Sequence, residues 1–259
     1  MTRTFFLIHL LLVTQLLFSS ISLARTASNL SPSAQVSVQS WQILQEIVTE
    51  IGARPAGSSN ERQLLHDFTN RYWSQSTGHP INSQPLTFTV KGIEKHSANV
   101  WITFPGRSEG HLVIGAHADS EGEDEGSQGA IDNGIAVALL LALGQQLSTK
   151  EPEDAVTLVL FGAEEVGLFG SQAFTDALKS DSRFLTGAPF PTAMINLDTI
   201  AGGDHLYVHS PTKKSYKRCD KEDRYNSSAS VRDSLLSVAS ANSLPFSLHP
   251  AFPGYTEGE

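Results

Sequence analysis

Hydrophobic residues near the start of the ordered-looking sequence recur at helical spacing: Trp41, Leu44, Ile47, Val48 and Ile51. That stripe predicts an amphipathic helix from about Val38, with Trp41 on its buried side. Gly52 and Arg54-Pro55 end it. A second helix follows, with Ser59 or Asn60 as its cap and Leu64, Leu65, Phe68 and Tyr72 on its apolar side. The pattern then changes. Leu86 to Val90 alternates as a strand does, and Ser97 to Phe104 reads as its neighbour.

Short, wholly apolar runs come next: Leu112 to Ile114, Val156 to Phe161 and Ala193 to Leu197. Strands covered on both faces have this composition. Between and after them lie helical stretches at Ile135 to Leu147, Phe169 to Leu178 and Ser230 to Ala241, and a short strand is predicted at His205 to His209. Strand and helix therefore alternate from about residue 111. The predicted class is α/β: a three-layer sandwich with a mostly parallel, mixed sheet flanked by helices.

The first residues do not belong to that domain. Arg3 precedes an apolar run from Phe5 to Phe18, and Ser22-Leu23-Ala24 offers a cleavage site. Residues 1–24 read as a signal peptide, because the run is short of the roughly 20 apolar residues a span needs. Residues 25–37 are rich in Ser, Ala and Thr and read as a flexible linker, leaving 38–259 as one domain. The predicted location is secreted or periplasmic, without stable membrane insertion after cleavage. Cys219 is the only cysteine, so no disulfide is available within the chain. Asn29-Leu30-Ser31 and Asn226-Ser227-Ser228 fit the glycosylation pattern.

The formal charge is −9, which argues against a nucleic-acid partner. The basic cluster Lys213, Lys214, Lys217 and Arg218 is followed at once by Asp220, Glu222 and Asp223 and reads as a solvated loop. The acids Glu121, Glu123, Asp124 and Glu125 lack the spacing of a calcium loop. Ser120 and Ser171 lack a nucleophile elbow.

Candidate chemistry gathers where the predicted parallel strands end. His117 and Asp119 follow the first buried strand, Asp132 and Asn133 open the next helix, Glu164 and Glu165 follow the second strand, and Asp198 follows the third. That edge is where open α/β sheets build their sites. His nitrogen and carboxylate oxygen are the donors of catalytic zinc sites. Adjacent glutamates on a turn can divide two tasks, one binding metal and the other taking a proton from water. Asp119, two residues after His117, is a candidate to orient the imidazole.

The segments "GAHADS", "GAIDNG", "FGAEEVGLFGS" and "INLD" resemble the ordered motifs of the M28 family of zinc metallopeptidases, the co-catalytic aminopeptidases, and "IGARPAGSSNE" resembles that family's entry turn. The resemblance implies a zinc exopeptidase-like fold, two Zn²⁺ ions and peptide or protein N-termini as substrates. It implies that His117 and Glu165 bind one metal, Asp198 the other, and that Asp132 bridges. Glu164 would be the general base, with Asp119 supporting the imidazole. Asn133 stands where the family often has a second aspartate. The family's fifth ligand is a histidine within Ser-Asp-His-x-Pro-Phe; this sequence stops at "FPGYTEGE", so the resemblance implies a domain incomplete at the C-terminus, less stable and less active than the whole. His205, His209 and His249 do not stand in that context, and His249 reads as a strand or surface residue. Two rival readings share the fold: a glutaminyl cyclase, an acyltransferase with a single zinc, and a non-catalytic binding module.

Overall fold

The computed structural model describes residues 30–122, 124, 126–203, 205–208, 229–242 and 247–249. The signal segment, the first residues of the linker, both glycosylation asparagines, Cys219, the basic cluster around Lys213, His209 and the final residues lie outside this description.

Helix α1 spans Pro32–Glu46 and runs on through a wider helical turn at Ile47–Ile51. It starts six residues earlier than periodicity predicted, inside the stretch read as linker. Ser31 is the reason. Its hydroxyl accepts from the Ala34 amide at 3.3 Å, and Pro32 at the first helical position needs no amide partner. Trp41 is 58% exposed, contrary to the expected stripe. The buried face is centred on Ser40, Ile43 and Ile47, and Trp41 lies roughly 100° around the helix from Ser40. Helix α2 covers residues 59–77 and is capped by Ser58, one residue before the predicted cap, whose Oγ accepts from Glu61 N at 3.1 Å.

Strands β1 (Ile81–Val90) and β2 (Ile93–Phe104) form a hairpin in which Val90 faces Ile93. Its two turn residues, Lys91 and Gly92, have φ of 51° and 80°, the left-handed pair that a tight hairpin requires. Strand β3 (His111–His117), helix α3 (Ile135–Leu147), strand β4 (Ala155–Phe161), helix α4 (Phe169–Ser180) and strand β5 (Ala193–Asn196) complete the main sheet and its cover. Strand order is β1-β2-β4-β3-β5. Pairings β1–β2 and β2–β4 are antiparallel, while β4–β3 and β3–β5 are parallel. The sheet is thus mixed in equal parts, because the hairpin contributes more of it than the alternation after residue 111 suggested.

Every residue of β4 is buried, and its side chains alternate between two cores. Val156, Leu158 and Leu160 enter one core with α1, α2 and α3, whereas Val159 and Phe161 face Phe174 of α4 on the other side. Helices therefore cover both faces, giving the three layers predicted. Helix α3 is apolar enough over 130–147 to resemble a membrane span, yet Ala136, Val137, Ala138, Leu140, Leu141 and Ala142 are fully buried in the first core. Trp73 and Trp101 are core aromatics, as expected. Strands β6 (His205–Tyr207) and β7 (Ser247–His249) pair in parallel as a second, two-stranded sheet, and helix α5 spans Ala229–Ala241. His249 falls on a strand.

Candidate metal centre

The register brings together the ends of three strands that are far apart in sequence. His117 is the last residue of β3 and pairs with Phe161, the last of β4. On the other side Gly115 pairs with Asn196, and Leu197 N donates to Gly115 O at 2.8 Å. The loops leaving β3, β4 and β5 therefore emerge side by side, carrying Asp119, Glu164-Glu165 and Asp198.

His117 sits at the middle of this edge, 3% exposed. Its Nε2 lies 3.0 Å from Asp132 Oδ1 and 3.5 Å from Asp198 Oδ1. Donor atoms of His117, Asp132 and Asp198 all fall within 4.8 Å of one another, and so do those of His117, Glu164 and Glu165. All five predicted ligand and base residues thus share one locus. The expected pairing of His117 with Glu165 is one of two groupings; the other unites His117 with Asp132 and with Asp198, which the resemblance had assigned to the opposite metal.

Asp119 meets the imidazole through its main chain, and its side chain bonds elsewhere. Its carboxylate is 3.7 Å from His117 Nδ1, too far for a hydrogen bond. The imidazole instead meets the Asp119 main-chain oxygen at 3.1 Å. The side chain of Asp119 is fully buried and accepts from the Glu164 amide at 2.9 Å and from the Glu165 amide at 3.0 Å. It holds the backbone of the glutamate pair. A bidentate grip of this kind resolves how adjacent residues both reach the site: β4 has ended, and the chain turns there through Ala163 at φ 57°.

Asn133, the departure from the family pattern, has a local explanation. Its Nδ2 donates to Leu197 O at 2.8 Å, next to Asp198. A carboxylate could not donate there without a proton. The amide thus ties the Asp132 turn to the Asp198 loop.

Electrostatics at this edge are dominated by crowded acid. Burial, with the fields of Asp119, Glu165 and Asp198 added, pushes the Glu164 carboxyl up to about 7 against the pull of His117. Burial and the Asp132 charge push Glu165 to about 7 as well. Burial disfavours a charged His117, but the surrounding carboxylates of Asp119, Asp132 and Asp198 outweigh it and hold the imidazole well above its usual range. A divalent cation reverses such a balance, since it becomes the largest local charge. The residues fit one. Nitrogen and carboxylate donors are a zinc set, and Asp198 Oδ1 is buried without a hydrogen-bond partner, a lone pair left for an ion.

Sequence reasoning missed two buried charges behind the site. Arg54 is fully buried and bonds to the loops after His117 and before Asp132. Glu61, also fully buried, accepts from Ala163 N at 3.0 Å, Gly57 N at 2.6 Å and Ser97 Oγ at 2.7 Å. The available signal was the pair of charges inside "GARPAGSSNE", a stretch read as a helix stop, a helix cap and an entry turn, with no role given to Arg54 or Glu61 as side chains.

Comparison with known proteins agrees with this architecture. The model described as peptidase family M28 matches residues 99–240. A probable leucine aminopeptidase of Trichophyton verrucosum is 30% identical over 165 residues, which are 54% of this chain and 43% of that protein. The chain therefore spans less than half of that relative. Among solved structures, a glutaminyl cyclase from an Acidobacteriales bacterium superposes with a TM-score of 0.66 at 16% identity, covering 84% of this chain and 72% of the other. A Zn-dependent exopeptidase from Parabacteroides distasonis superposes with a TM-score of 0.59 at 17% identity, covering 83% and 76%.

Proposed function

The chain belongs to peptidase family M28, and from that premise we propose that it is an exported, zinc-dependent aminopeptidase that hydrolyses the N-terminal peptide bond of peptides or proteins. The observation that carries this is the convergence of His117, Asp132, Asp198, Glu164 and Glu165 at the ends of three adjacent strands. His117, Asp132, Asp198 and Glu165 would hold the zinc, two ions in the complete protein. Bound there, zinc acidifies water and stabilises the oxyanion of the scissile carbonyl.

The remaining chemistry belongs to the chain. Glu164, half-buried beside the ligands, accepts the proton of the attacking water on its carboxylate and returns it to the leaving nitrogen. Asp119 keeps that carboxylate in place through the Glu164 amide. The surplus of acid around the site favours a substrate that presents a free, protonated α-amino group, hence a chain end. Export rests on Arg3, the apolar run Phe5 to Phe18 and the small residues at Ser22-Leu23-Ala24.

Glu164→Gln tests the division of labour. Hydrolysis of an aminoacyl anilide should fall by about 10²–10⁴-fold, with zinc content unchanged. Loss of zinc with the activity would exchange the roles of Glu164 and Glu165. The glutaminyl cyclases share the fold, and their single-zinc chemistry gives a different outcome in two assays: one zinc per chain, and release of ammonia from peptides with N-terminal glutamine.

A further inference from the structure

Buried arginines ordinarily face a carboxylate. Arg54 does not: among the described residues its guanidinium bonds to main-chain oxygens. Nε donates to Ala118 O at 3.0 Å, Nη1 to Gly52 O at 2.9 Å and Gln128 O at 3.2 Å, and Nη2 to Gly129 O at 2.8 Å. Its backbone joins in. Arg54 N donates to Ser120 Oγ at 2.9 Å, and Ser120 N donates to Arg54 O at 3.1 Å.

Two of these attachments bracket the metal centre. Ala118 directly follows His117, and Gly129 lies three residues before Asp132. Gly129 adopts φ 63°, and Gly134 N donates back to its carbonyl at 2.9 Å, so the Asp132 turn is closed on the same oxygen that Arg54 grips. No other described side chain bonds to both loops.

We propose that Arg54 is a positioning residue for the metal centre: its planar fork locks the loop after His117 to the turn before Asp132 and sets the spacing of those two side chains. The inference rests on the metal-centre reading above. It concerns a residue outside the stretch matched by the family model. Planarity is the operative property, because five N–H groups in one fixed plane can bond two loops at once, whereas an ammonium is a point donor on a flexible stem. The charge contributes too. Burial lowers the Arg54 pKa to about 10, against the opposing pull of Asp119, Asp132, Glu61 and Glu165, so the cation persists at neutral pH among these acids.

The test uses the full chain, with zinc alone as the probe. Zinc affinity is measured by competition with a chromophoric chelator, coordination by the absorption spectrum of the Co²⁺-substituted protein, and folding by thermal melting without metal. Arg54→Lys should weaken zinc binding by about 10–100-fold and shift the cobalt bands. A Leu140→Ala core variant serves as the control for stability loss and should retain wild-type affinity and spectrum. If Arg54→Lys does not fold, Ser120→Ala decides: it removes the hydroxyl that accepts from Arg54 N and donates to Glu121 O, loosening Arg54 from the loop after His117, and should shift the cobalt bands with a smaller loss of affinity. Wild-type affinity and spectrum in the folded Arg54→Lys or Ser120→Ala protein would overturn the proposal, as would equal weakening by Leu140→Ala. Absence of zinc binding by the wild type would overturn the metal-centre reading itself.

Discussion

Replacing Asp119 by Asn separates two ways in which this buried carboxylate could serve the site. In the structure it accepts from two amides at once, Glu164 N at 2.9 Å and Glu165 N at 3.0 Å. Asn offers one oxygen. Its NH₂ group would face the second amide, donor against donor, and leave that amide unpaired in the interior. Losing a hydrogen bond to a charged acceptor and stranding a buried N–H together cost about 2–4 kcal/mol. The opposing effect is relief of repulsion, since Asp119 raises the carboxyls of Glu61, Glu164 and Glu165. Global stability therefore mixes two signs, and the informative readout is local. Amide hydrogen exchange across residues 162–168 reports opening of this turn. A loss of 2–4 kcal/mol corresponds to exchange about 30- to 1,000-fold faster there, with β4 itself unchanged. If Asp119 instead acted on the His117 imidazole, exchange at Glu164 and Glu165 would stay at the wild-type rate while zinc affinity fell. That result would refute the backbone-holding role.

Other perturbations follow from the same geometry. Burial first, and the Asp119 charge second, raise the Glu61 carboxyl from 4.5 to about 7. Between those values the unfolded chain releases a proton that the folded state keeps, so unfolding free energy declines as pH rises through that window and levels off above it. The full decline is about 3 kcal/mol. In metal-free protein, urea midpoints of Glu61→Gln should decline less than wild type from pH 4.5 to 7; parallel profiles would contradict this. Gly144→Ala in α3 should destabilise despite a helix-propensity gain of about 1 kcal/mol. The added Cβ would sit 2.5 Å from Trp73 Nε1 and 2.6 Å from Cδ1, inside a fully buried contact, and such overpacking costs about 1–3 kcal/mol. A raised melting temperature would show that Trp73 yields easily.

Much of the molecule was legible because its signals are periodic or local. Strand β4 announces itself as an unbroken apolar run, and its two faces alternate between two cores as period two requires. The site residues were legible for a related reason. Each stands directly after a recognisable strand or at the start of a helix, and parallel strands put those positions on one edge. What escaped has no periodic signature. Arg54 meets Ala118, and Glu61 meets Ala163, through main-chain atoms 64 and 102 residues away. No spacing rule marks such a partner. Nearness in sequence to His117 suggested that the Asp119 side chain serves the imidazole; the main-chain oxygen makes that contact, and the carboxylate takes the two amides that the fold offers. Trp41 shows the limit of a stripe drawn on hydrophobicity alone: the helix buries the face of Ser40, Ile43 and Ile47, and leaves the indole at the surface. The early start of α1 was written in Ser31-Pro32, a cap signal hidden within a small-residue stretch.

The central claim is that the strand-end acids and His117 hold divalent metal. Anomalous diffraction recorded above and below the zinc absorption edge, on crystals of the full chain grown with zinc, tests it most directly. The prediction is density at about 2.0–2.2 Å from His117 Nε2 and from carboxylate oxygens of Asp132 and Asp198. Zinc sites found only elsewhere on the protein, with His117 still bonded to those carboxylates, would contradict it.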